Sequence, residues 1–107
     1  MRKIGYVRAK EGKQIVRQTV ALIHFGAEEI VLEEDGKTLY ETVYHELNQG
    51  DKLYITSLDR ISRDITIVAN ILEALYSKGV ELIVNGEKYD LDTFFKMSLV
   101  LDQIATK

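Results

Sequence analysis

The stretch Gly50-Asp51-Lys52-Leu53-Tyr54-Ile55-Thr56-Ser57-Leu58-Asp59-Arg60-Ile61-Ser62-Arg63 opens on turn residues, runs through a short apolar segment and ends in a charged loop. Lys52 to Thr56 reads as a strand, with Gly50-Asp51 as the punctuation before it. Asp64 follows as a good N-cap, because its carboxylate can accept a free N–H of a helix's first turn. Behind it Ile67, Val68, Ile71, Leu72 and Leu75 recur at helical spacing, and Lys78-Gly79 closes the helix. Val80-Glu81-Leu82-Ile83-Val84 is then a further strand. Strand, helix, strand is the grammar of the C-terminal half.

The N-terminal half repeats it. Ile4-Gly5-Tyr6-Val7 has strand character and ends at Arg8, and Gly12 precedes a helical stretch from about Lys13 to Phe25 that Gly26 stops. Glu29-Ile30-Val31-Leu32 reads as a second strand, with Glu34-Asp35-Gly36 as its turn. A polar-leaning helix with Tyr40, Val43, Tyr44 and Leu47 on one side runs to Gln49. A Gly86-containing turn leads into a last helix from about Asp92 to Thr106. Such alternation predicts an α/β domain with a mainly parallel sheet of four to five strands. Crossovers between parallel strands are right-handed, which places helices on both faces. No proline, linker or repeat interrupts the 107 residues, so the whole of 1–107 is expected to be one unit.

Composition excludes several classes. An apolar fraction of 46% with 29% charged residues fits a globular domain and not a disordered chain. With no cysteine there is no disulfide framework, thiolate zinc site or cysteine nucleophile. No apolar run approaches the roughly 18 residues of a membrane span, and the N-terminus lacks the apolar stretch of a signal peptide. A cytoplasmic protein without membrane contact is expected. His24 and His45 stand alone, so neither a metal nor a cofactor is expected. Glu33-Glu34-Asp35 reads as a solvated turn, Tyr6 as packing, and the remaining tyrosines show no stacking pattern.

Charge is unevenly placed. The net is −3, yet residues 1–17 carry six bases against Glu11, a local +5 that leaves −8 for the rest. A wholly basic nucleic-acid binder is excluded, but an anion site at one edge is not. Ligands of open α/β sheets gather beyond the carboxyl ends of the strands. If the first and third strands are neighbours, Arg8, Lys10, Arg60 and Arg63 converge there. Guanidinium forks suit phosphate oxygens two at a time. The alternative is that Asp59 simply pairs Arg60 or Arg63 on a solvated loop.

Ile4-Gly5-Tyr6-Val7-Arg8-Ala9-Lys10, followed by Gln14, resembles the start of serine recombinases of the resolvase and invertase type: Gly-Tyr-Ala-Arg-Val-Ser and a glutamine four residues after the serine. Gln18, Leu22 and Gly26 resemble the glutamine, leucine and glycine of that family's first helix, allowing a one-residue gap. Gly50-Asp51 and Leu58-Asp59-Arg60-Ile61-Ser62-Arg63 resemble its Gly-Asp and Leu-Asp-Arg-Leu-Gly-Arg block. The resemblance covers essentially the whole chain. It implies Arg8, Asp59, Arg60 and Arg63 at the family's catalytic positions, where a serine attacks the DNA phosphodiester and arginines hold the phosphate. Arg8, Lys10, Gln14, Arg60 and Arg63 would meet DNA phosphate. Lys37 is the nearest counterpart of a further arginine that the family places before its second helix.

The departures bear on activity. Lys10 stands where the family has its nucleophile, Glu11 replaces the usual threonine, and no serine or threonine lies between Met1 and Gln18. A protonated lysine has no lone pair for attack, so impaired or absent strand cleavage is expected. Two other readings stay open: an active recombinase with an atypical nucleophile, and a protein–protein interaction module with no DNA role. Family members continue along the last helix into a separate DNA-binding region. Here the sequence ends at Lys107, and without such a region DNA contact is expected to be weak and non-specific. The last helix is apolar well beyond one core-facing stripe. Phe94, Phe95, Met97, Leu101 and Ile104 are its candidate oligomer interface, with a homodimer as the default and a tetramer open.

Overall fold

The computed structural model describes residues 1–33 and 38–96. Five strands form one sheet in the order β2-β1-β3-β4-β5: β1 Lys3–Val7, β2 Glu29–Leu32, β3 Lys52–Ile55, β4 Glu81–Val84 and β5 Glu87–Lys88. The first four pair in parallel and β5 returns antiparallel on β4. This is the α/β, mainly parallel architecture that the alternation predicts. The helices are α1 (Gly12–Phe25), α2 (Thr38–Glu41) and α3 (Ile65–Lys78), and residues 91–96 begin a further one.

Alternation along each strand sends side chains to two cores. Ile4, Tyr6, Leu53, Ile55 and Leu82 meet Leu39, Val43, Ile71, Leu72 and Leu75 from α2, the turn after it and α3. Val7, Tyr54 and Ile83 point the other way, onto Leu22 and Ala27 at the end of α1. Helices therefore cover both faces, and the inner strands β1, β3 and β4 carry buried residues on both sides, whereas β2 at the edge has none. Asp64 caps α3 by accepting from the Thr66 N–H at 2.9 Å, and Gly79, at φ 72°, ends it. The N-terminus is pinned by Asp51, a buried carboxylate that accepts from the backbone N–H groups of Arg2 and Asn48, both at 2.9 Å.

Two elements differ from the sequence reading. The helix expected to reach Gln49 is α-helical only over Thr38–Glu41. It then widens into a π-turn over Thr42–Glu46, closed by Leu47 N–H donating to the Thr42 carbonyl. Leu39, Val43 and Leu47, spaced by four, are buried, while Tyr44 is exposed. Lys78 Nζ, reaching from α3, donates to the Val43 carbonyl at 2.6 Å. The second difference is β5. Asn85 and Gly86 both hold positive φ, 50° and 84°, the backbone of a tight two-residue hairpin that folds β5 back on β4. The last helix starts after it, at residue 91.

Candidate functional site

The chain leaves β1 toward β2 on one side and later places β3 on its other side, so the direction of winding reverses between β1 and β3. The carboxyl ends of the two strands therefore open a crevice. Arg8 is the first residue beyond β1, and Leu58–Arg60 form a short 3-10 turn beyond β3. Both segments line a cleft of about 500 Å³ into which Lys10, Gln14, Asp59, Glu33 and Arg63 also project. The structure thus brings together Arg8, Lys10, Gln14, Asp59, Arg60 and Arg63.

Backbone clamps hold the cationic groups in place. Gln18, buried on the sheet-facing side of α1, accepts from Arg8 N–H at 3.3 Å and donates to the Arg8 carbonyl at 3.2 Å. Arg8 Nη1 donates to the Asp59 carbonyl at 3.3 Å, and Arg60 Nη1 to the Arg8 carbonyl at 3.4 Å. Ile61, buried at 5% exposure, anchors the turn that carries Asp59 and Arg60. Arg63, Lys10 and Gln14 are exposed at the mouth.

The expected alternative, an Asp59–arginine ion pair, does not form. Asp59 accepts instead from the Ser57 hydroxyl. That hydrogen bond first, and then the nearby charges of Arg60 and Arg63 working against partial burial, hold its carboxyl below the usual aspartate range. Among the described residues the ion pairs use Arg2, Lys3, Lys52, Lys88 and Lys96, and none uses Arg8, Lys10, Arg60 or Arg63. Arg60 Nε is buried with no hydrogen-bond partner. The first turn of α1 holds no acidic residue, but its N-cap, Glu11, lines the cleft without making a side-chain capping bond, and its carboxylate offsets part of the positive field there.

No hydroxyl lines this cleft among the described residues. Ser57 is engaged with Asp59, and Ser62 Oγ accepts from Asp64 N–H at 3.0 Å beside a neighbouring cavity of about 240 Å³. Tyr6 and Glu33 sit in that neighbouring cavity with Arg8. Tyr6, 1% exposed, does more than pack: its hydroxyl donates to Glu33 Oε1 at 2.6 Å. Burial, and then that carboxylate, push the tyrosine well above its ordinary value. Glu33 is no loose turn residue either, since it also accepts from the N–H groups of Thr38 and Leu39 at the start of α2. Burial opposes its ionisation, but the bonds from Tyr6, Thr38 and Leu39 win and hold its carboxyl low.

Neither Tyr6 nor Gln18 has a role in the sequence reading beyond packing and resemblance. The available signal was polarity on an inward face: Gln18 lies one turn before Leu22, and Tyr6 alternates with Gly5 and Val7. Lys37, Met97, Leu101 and Ile104 lie outside the described residues, as does the turn expected at Glu34-Asp35-Gly36. Phe94 is half-buried against the larger core, and Phe95 stacks on Tyr76 with ring centres 4.5 Å apart. Tyr40 and Tyr44 also stack, at 5.7 Å. Among the described residues no three His, Asp or Glu side chains gather as metal ligands, and no helix is long and apolar enough to cross a membrane.

The family model described as "Resolvase, N terminal domain" matches residues 3–106. An "Integrase-like protein y4lS" of Sinorhizobium fredii (strain NBRC 101917 / NGR234) is similar, at 25% identity over 100 residues that cover 87% of this chain and 55% of that protein. The chain thus spans about half the length of this curated relative.

Proposed function

Because the chain belongs to the resolvase N-terminal domain family, which ties it to site-specific DNA recombination, we propose that it holds DNA phosphate without cutting the strand. The observation that carries this reading is the set of cations at the β1/β3 crevice. Arg8, Lys10, Arg60 and Arg63 share one cleft with Glu11, Glu33 and Asp59, yet among the described residues none of the four cations is in an ion pair, and Arg60 Nε is buried and unsatisfied. An unpaired buried guanidinium nitrogen is costly, and a phosphate oxygen is the partner that the guanidinium fork fits. Gln14 adds a neutral donor and the N-terminus of α1 a partial positive charge. Asp59, its carboxyl held low by the Ser57 hydroxyl and the nearby Arg60 and Arg63, offsets part of that positive charge.

Lys10 changes the chemistry of the site. Where the family attacks phosphorus with a serine oxygen, this chain offers an ammonium that binds an anion as a point charge. Loss of a covalent nucleophile costs on the order of a millionfold in rate. The domain then acts by binding and by assembly. Phe94 and Phe95, with Met97, Leu101 and Ile104 beyond them, are the proposed contact with a second recombinase subunit. Lys37 is a proposed further phosphate contact.

The test is anisotropy of a labelled generic duplex, titrated at low and near-physiological salt. Binding should be salt-sensitive and should weaken in Arg60→Ala and Arg63→Ala. Absence of binding at low salt would overturn the phosphate reading. A covalent protein–DNA adduct on a denaturing gel would overturn the loss of cleavage.

A further inference from the structure

The solvent face of α1 is apolar where a surface helix is ordinarily polar. Val16 and Val20 are each 61% exposed and Ile23 is 56% exposed. They follow one another at helical spacings of four and three, which keeps them within an arc of about 60° at ~100° per residue. The opposite side, Gln18 and Leu22 with Ile15 and Phe25 beside them, is the one that packs on the sheet. Three branched side chains in one seam, each more than half exposed and covered by none of the described residues, mark a contact surface and not scattered exposure.

The charges around the seam select its occupant. The helix itself, Gly12–Phe25, contains no acidic residue, and its cations Lys13 and Arg17 both lie in the N-terminal half. Its other end is negative: the last carbonyls point that way, and Glu28 follows with its side chain 69% exposed and only a 3.6 Å contact to Lys3. We infer that this face takes a second copy of the same chain, with the two α1 helices antiparallel across a twofold axis at Val20. In that arrangement residues equidistant from Val20 face each other. Val20 meets its own copy, and Ile23 lies over the aliphatic stem of Arg17. Lys13 comes opposite Ala27, beside Glu28 and the helix's negative end. The match occurs twice by symmetry, as a self-complementary interface requires. A parallel pair would instead set Lys13 and Arg17 against themselves.

A seam of two helical turns is well below the roughly 1,600 Å² of a standard interface. The contact is therefore weak by itself and concentration-dependent, suited to linking subunits already held elsewhere. It uses none of the cleft cations and stands apart from the phosphate reading.

The chain has no cysteine, so single cysteines report contacts cleanly. In the full chain, Val20→Cys should form a disulfide-linked dimer under mild oxidant several-fold faster than Asn70→Cys, an exposed position on α3. Adding Lys13→Glu should slow that cross-linking several-fold, and adding Glu28→Lys as well should restore it. Cross-linking at Val20→Cys no faster than at Asn70→Cys overturns the proposal, including where the protein is dimeric through another surface. Fast cross-linking that ignores both charge changes overturns the antiparallel pairing. Circular dichroism of each variant checks that the fold is kept.

Discussion

Arg60 reaches from the end of β3 and donates through Nη1 to the carbonyl oxygen of Arg8 at 3.4 Å, while Arg8 Nη1 donates to the carbonyl of Asp59 at 3.3 Å. Each guanidinium thus donates to the backbone beyond the other strand's end, and the two bonds tie the two sides of the crevice together. On the proposed phosphate reading the same two groups would be oriented before an anion arrives, which would remove part of the ordering cost of binding. Arg60 Nε itself is buried without a hydrogen-bond partner.

This distinguishes Arg60 from Arg63. Arg63 is exposed and lines the mouth of the cleft, and among the described residues it braces nothing. Arg63→Ala should weaken duplex binding and lower the salt slope by about one, with thermal stability unchanged. Arg60→Ala should weaken binding similarly and also lower the melting temperature by a few degrees. Anisotropy and a thermal melt on the same preparations read both. Equal melting temperatures for the two variants would show that the cross-brace contributes nothing to stability.

The Tyr6–Glu33 pair predicts a stability window with two titrating edges. Glu33 is held below its ordinary range when folded, so its contribution is present above the unfolded glutamate value and is lost as pH falls through the folded one. Tyr6 is raised, so its contribution is intact below tyrosine's ordinary 10 and declines as pH rises beyond it. Urea melts across pH should show both edges. Tyr6→Phe should remove the alkaline decline and cost about 1–2 kcal/mol near neutrality, from a lost hydrogen bond to a charged acceptor. An alkaline limb identical in Tyr6→Phe and the parent would contradict the assignment.

Much of this site was legible before the fold was known, because strand ends are easy to mark. Arg8 follows a run of apolar residues and Arg60 follows another, so their meeting needed only that β1 and β3 be neighbours, which they are. Asp64 and Gly79 bracketed α3 by their capping chemistry alone. Three features were hidden for physical reasons. The π-turn over Thr42–Glu46 changes the backbone hydrogen-bond spacing by one residue without altering the apolar spacing of four, so no sequence period reveals it. The Gln18 clamp joins residues ten apart across a sheet-facing surface, and the Tyr6–Glu33 bond joins residues 27 apart on adjacent strand ends. Asn85-Gly86 did carry a hairpin signal, but a two-residue β5 is too short to show a strand pattern of its own.

Gly5 tests the packing behind the site. A Cβ at this position would lie 2.9 Å from Ile30 Cδ1, 3.1 Å from Ala27 Cβ and 3.1 Å from Leu22 Cδ1, all on the α1 side of the sheet. Gly5→Ala should therefore destabilise by about 1–3 kcal/mol through overpacking. Because β1 ends two residues later, just before the Arg8 clamp, the same change should also weaken duplex binding. Chemical denaturation gives the first effect. A parent-like midpoint would mean that α1 can lift off the sheet at little cost.

Lys10 offers the sharpest separation between holding a phosphate and attacking it. Its side chain is exposed at the mouth of the cleft and makes no hydrogen bond or ion pair among the described residues, so its removal should leave the fold untouched. Lys10→Ala should lower the salt slope of duplex binding by about one and weaken affinity modestly, as expected for one point charge near a phosphate. Neither the parent nor Lys10→Ala should yield a covalent adduct with nicked or supercoiled DNA, because a protonated amine has no lone pair to form the bond to phosphorus. The two measurements come apart if the reading is wrong. An adduct formed by the parent and absent in Lys10→Ala would make the lysine nitrogen the attacking atom, with a phosphoramidate link that acid should cleave. An adduct that persists in Lys10→Ala would point instead to a hydroxyl brought in from outside the described cleft.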